Sequence, residues 1–238
     1  MLNSSEKKES VWRGFKRIDF VFNGHNAVIV FPLKTDKKNN WIWKTEFFEA
    51  FDNAEMELLK NGYVRVYYEI SNMYGNSYSV RLMHLFYLYI INEYNLNDKV
   101  CLFGFSRGGL YAFNFALQYP EYCKKLYLDA PVLDLNTWPE KFSKEYYEYL
   151  NCYSLSEETT KIFNQSPINN LNEFSNLNIP VILIAGDADE TVAFEKNSKL
   201  MIEMFKEKSN FTYIIKNNCG HHPHGLENIK KIIEFIND

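Results

Sequence analysis

The segment 99–110, Lys-Val-Cys-Leu-Phe-Gly-Phe-Ser-Arg-Gly-Gly-Leu, places the tightest constraint on what this chain can fold into. A short apolar run suited to a strand passes through Gly-x-Ser-x-Gly into helix-forming residues. Such a turn lifts the Ser106 hydroxyl above the end of a sheet on a strained backbone. Gly104 and Gly108 stand where a Cβ would meet the adjoining strand and helix. The helix that follows aims its unpaired N–H groups and positive dipole end at charge developing beside the serine. A phosphate-binding turn is the competing reading, but the segment holds neither Gly-Lys-Ser/Thr nor Gly-x-Gly-x-x-Gly.

The rest of the chain supplies a sheet for that turn. Alternation over 15–22 meets 27–31 across Asn23-Gly24, a hairpin signal. Helical spacing of Phe47, Phe51, Ala54 and Leu58 ends at Gly62. Strands are predicted at 63–70, 99–103, 125–128, 181–185 and 211–215, and helices at 80–94, 110–118, 194–205 and 226–236. Apolar strands separated by helices predict an α/β fold, a mostly parallel sheet with helices on both faces, over a single domain of residues 1–238. Residues 134–178 break the alternation and read as a small lid or cap inserted over the strands' C-terminal ends, where clefts of open α/β sheets lie.

A serine nucleophile needs a base, and the base an orienting carboxylate. Both follow in the order Ser, Asp, His, each in a loop after a strand: Gly186-Asp187-Ala188-Asp189-Glu190, then Gly220-His221-His222-Pro223-His224. With these motifs the chain resembles the α/β-hydrolases over nearly its whole length. It is most similar to a bacterial group of serine hydrolases carrying the Gly-Phe-Ser-Arg-Gly-Gly elbow and the Gly-His-His-Pro-His motif. The resemblance implies the α/β-hydrolase fold and a triad of Ser106, Asp189 and His221. Asp187, Glu190, Asp129 and Asp134 stay as alternative acids, and His222 and His224 as alternative bases. It also implies an oxyanion hole formed by the N–H of Arg107 and, by position after the strand ending at Phe31-Pro32, the N–H of Lys34 or Leu33. The Arg107 side chain is expected to brace the elbow against a carboxylate.

Aromatic residues make up 17% of the 238, so some of them are candidates for pocket walls rather than core. Trp41, Trp43, Tyr74 and Trp138 fall in segments read as loops near Ser106 and are expected to bind substrate. Rings with polar tips suit a small acyl group on a carbohydrate or aryl alcohol. The expected activity is that of a serine carboxylesterase; an amidase or peptidase with the same triad, and a ligand-binding protein without turnover, are the alternatives. Without HExxH or paired cysteines, no metal and no cofactor are expected. A net charge of -4 without a basic stripe argues against nucleic acid. No apolar run reaches bilayer length, and four widely spaced cysteines without a secretory signal read as a cytoplasmic chain with reduced thiols.

Overall fold

The computed structural model describes residues 4–238. Its sheet has nine strands: β1 (Lys8–Trp12), β2 (Phe15–Phe22), β3 (His25–Phe31), β4 (Trp41–Lys44), β5 (Val64–Tyr68), β6 (Val100–Phe105), β7 (Cys123–Asp129), β8 (Val181–Gly186) and β9 (Phe211–Lys216). They lie in the order β1-β2-β3-β5-β4-β6-β7-β8-β9. From β1 to β5 the pairs are antiparallel, and from β5 to β9 all are parallel. The β2–β3 hairpin turns on Asn23 and Gly24, both at positive φ, with Phe22 opposite His25. That is the two-residue turn whose twist matches the strands.

The helices are α1 (Asn53–Lys60), α2 (Ser77–Tyr94), α3 (Gly108–Gln118), α4 (Lys144–Tyr153), α5 (Leu171–Phe174), α6 (Ser198–Phe205) and α7 (Lys230–Asn237). One sheet face carries Trp43, Tyr68 and Leu102 against α2 and α3; the other carries Ile42, Phe103 and Ile182 against α1 and α7. With helices on both faces and a mostly parallel sheet, the α/β-hydrolase architecture is the one observed. None of the described helices is long and apolar enough to cross a membrane.

At β4 and in the loop after it, two expectations fail. Phe47 and Phe51 do not belong to a helix: both take positive φ (58° and 51°) in the loop after β4, and helix begins only at Asn53. Trp41 and Trp43 do not line a pocket either. They lie in β4, one of the central parallel strands, fully buried; Trp41 stacks on Tyr87 of α2, and Trp43 meets Phe86 of α2 and Phe115 of α3 edge-on. Aromatic side chains thus fill the space between sheet and helices, which accounts for much of their abundance.

Residues 134–178 carry α4, two single-turn 3-10 helices and α5 between β7 and β8. Tyr149, Phe163 and Phe174 of this stretch join the core on the α2/α3 side. Helix α4 is stitched to the loop after β5: the Asn76 amide donates to Cys152 O (2.9 Å), and Tyr153 OH to Tyr74 O (2.9 Å).

Candidate active site

Four strand ends converge at the C-terminal edge of the parallel sheet. Strand β6 is followed at once by Ser106, whose φ of +49° is a strained left-handed conformation held by hydrogen bonds on both sides. Its N–H donates to Asp129 O at the end of β7 (2.9 Å), and its carbonyl accepts from Gly109 and Val132 (both 2.9 Å). A Cβ on Gly104 would come within 2.8 Å of Ala112 Cβ, and one on Gly108 within 3.0 Å of Thr45 Oγ1. Helix α3 can therefore start immediately after the turn, close against the end of β4.

Ser106 Oγ lies 2.9 Å from His221 Nε2, and His221 Nδ1 lies 2.7 Å from Asp189 Oδ2. Asp189 is buried, and its other oxygen accepts from the Val192 N–H at 2.9 Å, fixing the carboxylate plane. The other candidate acids have different partners. Asp187 accepts from the Asn218 N–H (2.6 Å) and ties the acid loop to the histidine loop; Glu190 is exposed; Asp134 accepts from the Asn136 N–H. Asp129 takes the next histidine pair: His224 Nδ1 at 2.7 Å, together with the Gly225 N–H and Tyr127 OH, both at 2.8 Å. Two histidine–carboxylate pairs therefore stand side by side, and only that of His221 reaches the serine hydroxyl.

Lys34 is at the wrong end of the sheet. Its carbonyl lies 3.1 Å from the Cβ position of Gly62, and Asp36 bonds to Gly62 at 3.1 Å, just before β5 begins. Since Trp41 opposite Val64 starts both strands, residues 32–40 occupy the N-terminal edge, opposite Ser106. The backbone that does approach the serine turn follows β4. Thr45 bonds to Phe103 O through its N–H (3.1 Å) and to Gly108 O through Oγ1 (2.8 Å), and Phe47 lines the cavity beside Ser106.

Buried charges brace this loop from below. Lys44 Nζ is 2.7 Å from Glu55 Oε1 and also donates to Ala50 O; Arg65 pairs with Asp52 (3.2 Å) and donates to Phe48 O. Burial lowers the Lys44 pKa, against the pull of Glu55. Above the loop, Arg107 pairs with Glu46 at 3.3 Å and donates to Asn72 Oδ1 at 2.9 Å, so its side chain braces the turn as expected. Tyr74 packs with its ring 5.7 Å from this guanidinium and its OH donating to Glu148 (3.0 Å). It is fully buried, which removes it from the substrate-binding candidates. Trp138 is half-buried and lines a 700 Å³ groove with Glu140, Ser143, Glu190 and Thr191, beside the acid loop.

Burial raises the Glu46 pKa above its ordinary 4.5 while Arg107 opposes the shift. Replacing Arg107 with Met should strand that carboxylate and cost about 3 kcal/mol at neutral pH. The folded pKa would then exceed the unfolded one by more. The unfolded chain would release the proton first, so stability would fall as pH rises above 4.5. Urea melts at pH 4.5 and 7.5 check this: the variant's deficit should be larger at pH 7.5, and equal deficits would mean Glu46 is uncharged beside Arg107.

The parallel sheet, the serine turn and the serine–histidine–aspartate line are the hallmarks of a serine hydrolase. The prolyl oligopeptidase family model matches residues 67–238, from β5 through all three side chains of that line. The chain belongs to this family, a family of serine hydrolases. Among solved structures it is similar to an S-formylglutathione hydrolase from Agrobacterium tumefaciens (14% identity, TM-score 0.63, 96% of this chain and 94% of that one). It is also similar to Est1E from Butyrivibrio proteoclasticus (15%, 0.59, 98% and 100%) and to a putative dipeptidyl aminopeptidase IV from Bacteroides ovatus (12%, 0.67, 98% and 43%). The chain spans less than half the length of that last protein. A comparison with curated protein sequences found no match.

Proposed function

We propose that this chain is a serine carboxylesterase that removes a small acyl group from a carbohydrate or aryl ester. The observation that carries the reading is the line Ser106–His221–Asp189, with contacts of 2.9 and 2.7 Å, opening on a cavity of 240 Å³. Phe47, Ala50, Phe51 and Phe105 line that cavity, so it favours a short or flat apolar acyl group over a long chain. The Trp138 groove is the place for the alcohol portion.

In this mechanism His221 Nε2 takes the Ser106 proton as Oγ attacks the ester carbonyl, and Asp189 keeps the imidazole oriented through Nδ1–H. The N–H of Arg107 and a donor from the loop after β4 receive the oxyanion. Losing one such donor costs about 3 kcal/mol of transition-state stabilisation. His221 then protonates the departing alcohol, and water, deprotonated by the same nitrogen, releases the acid and restores Ser106. Four free thiols fit a reducing, cytoplasmic setting.

Peptide hydrolysis is the second reading, favoured by the family match and by the dipeptidyl peptidase likeness. Side-by-side assay on 4-nitrophenyl acetate, butyrate and decanoate and on aminoacyl and dipeptidyl 4-nitroanilides separates the two. Turnover is expected to be highest on acetate or butyrate, and faster turnover of an anilide would shift the assignment to peptidase. Tight binding of an ester with no turnover of any substrate would leave only a ligand-binding protein.

A further inference from the structure

His221, His222 and His224 are the one trio of histidines brought together in space among the described residues, and catalysis by the proposed route uses only the first. Their ring centres are 4.9 Å apart in all three pairs, with interplanar angles of 66°, 81° and 89°. Metal–nitrogen bonds of about 2.1 Å put three imidazole centres roughly 5 Å apart around one ion. The rings therefore already have that spacing. Their candidate ligand atoms all lie within 4.8 Å of one another.

What stands behind the rings matters as much. His221 and His224 each turn Nδ1 onto a buried carboxylate, Asp189 and Asp129, at 2.7 Å. A carboxylate behind an imidazole fixes its tautomer, leaves Nε2 for a metal and raises ligand basicity. The two carboxylates also offset the charge of a dication. His222 is exposed, and its ring contacts are with Phe51, stacked at 5.4 Å, and with the other two histidines. It can rotate without breaking a hydrogen bond. The opposing charge is Lys216, whose ammonium bonds to the carbonyls of Pro223 and Gly225.

We propose that these three histidines form a site for a divalent transition-metal ion, Zn²⁺ foremost, and that occupancy switches the hydrolase off. Neutral nitrogen donors suit Zn²⁺, Ni²⁺ and Cu²⁺ far better than Mg²⁺ or Ca²⁺. With Nδ1 held by Asp189, His221 has one lone pair left, on Nε2, and it either accepts from the Ser106 hydroxyl or binds the ion. Metal and the catalytic hydrogen bond therefore exclude each other. The absence of HExxH does not bear on this site, because its order comes from Asp129 and Asp189, distant in sequence, rather than from one helix.

The binding claim stands on geometry alone, whereas the switch rests on the esterase reading. Two measurements keep them apart: calorimetric titration of ZnCl₂ into the Ser106→Ala chain, and inhibition of the unaltered chain with reversal by EDTA. One ion per chain is expected, bound at least as tightly in Ser106→Ala because the serine no longer competes. His222→Ala should weaken binding by about tenfold or more. No stoichiometric binding, or binding that His222→Ala leaves unchanged, would overturn the site. Zinc bound without inhibition of turnover would overturn the switch. A chain that turns over no ester but binds zinc in calorimetry would count against the functional reading and for the site.

Discussion

Replacing Ser106 with alanine should lower kcat on 4-nitrophenyl acetate by about 10⁶-fold, and adding His221→Ala to it should change little more. In the proposed mechanism the two side chains, 2.9 Å apart, act as a unit, so removing either should remove the same proton transfer. Asp189→Asn should cost about 10⁴-fold, since the amide no longer holds the imidazole in the tautomer that keeps Nε2 free to accept a proton. Each variant should retain some acceleration over water, because the proposed oxyanion donor, the Arg107 N–H, and the cavity stay in place. Steady-state kinetics, with fluorophosphonate labelling of the serine as a second readout, checks the pattern. Losses that multiply in the double variant would mean that Ser106 and His221 serve separate steps. Activity that survives Ser106→Ala would end the nucleophile assignment.

The positions of Ser106, Asp189 and His221 were legible because each follows an apolar strand, and parallel strands bring all such loops to one edge. Strand β4 was not legible. It is only four residues long, follows a polar loop, and ends in Lys44, a charge that its burial against Glu55 makes tolerable inside the sheet. Reading Trp41-Ile42-Trp43 as a loop moved the oxyanion loop to the turn after β3. Since β3 runs antiparallel to β5, that turn opens on the far edge, and the expectation fell on Lys34 rather than on the loop after Lys44. Phe47 and Phe51 misled in a related way. Their i, i+4 spacing mimics a helix, but Lys44 and Arg65 pin the Ala50 and Phe48 carbonyls from below in a looped path. The role of His224 depends on Asp129, 95 residues away, a pairing that no local pattern encodes.

That pairing carries the second large effect. Asp129→Ala should destabilise the fold by about 3–5 kcal/mol and, in the fraction still folded, lower kcat by about 100-fold. Asp129 is fully buried, and its carboxylate satisfies His224 Nδ1–H, the Gly225 N–H and the Tyr127 hydroxyl; alanine leaves all three donors without an acceptor. The same residue's carbonyl holds the Ser106 N–H at 2.9 Å. Through Asp129, then, the turn bearing the serine and the loop bearing His221 share one anchor, and releasing the loop lets Nε2 drift from Oγ. Asp129→Asn should fall between the two, since its oxygen can still accept while its NH₂ must face a donor. The discriminating readout is kcat per folded molecule, with the folded fraction from circular dichroism at low temperature. If kcat so normalised equals that of the unaltered chain while stability drops, Asp129 supports the fold alone. If it falls with KM little changed, Asp129 positions His221, because an anchor that sets the approach of Nε2 to Oγ acts on the chemical step rather than on substrate binding.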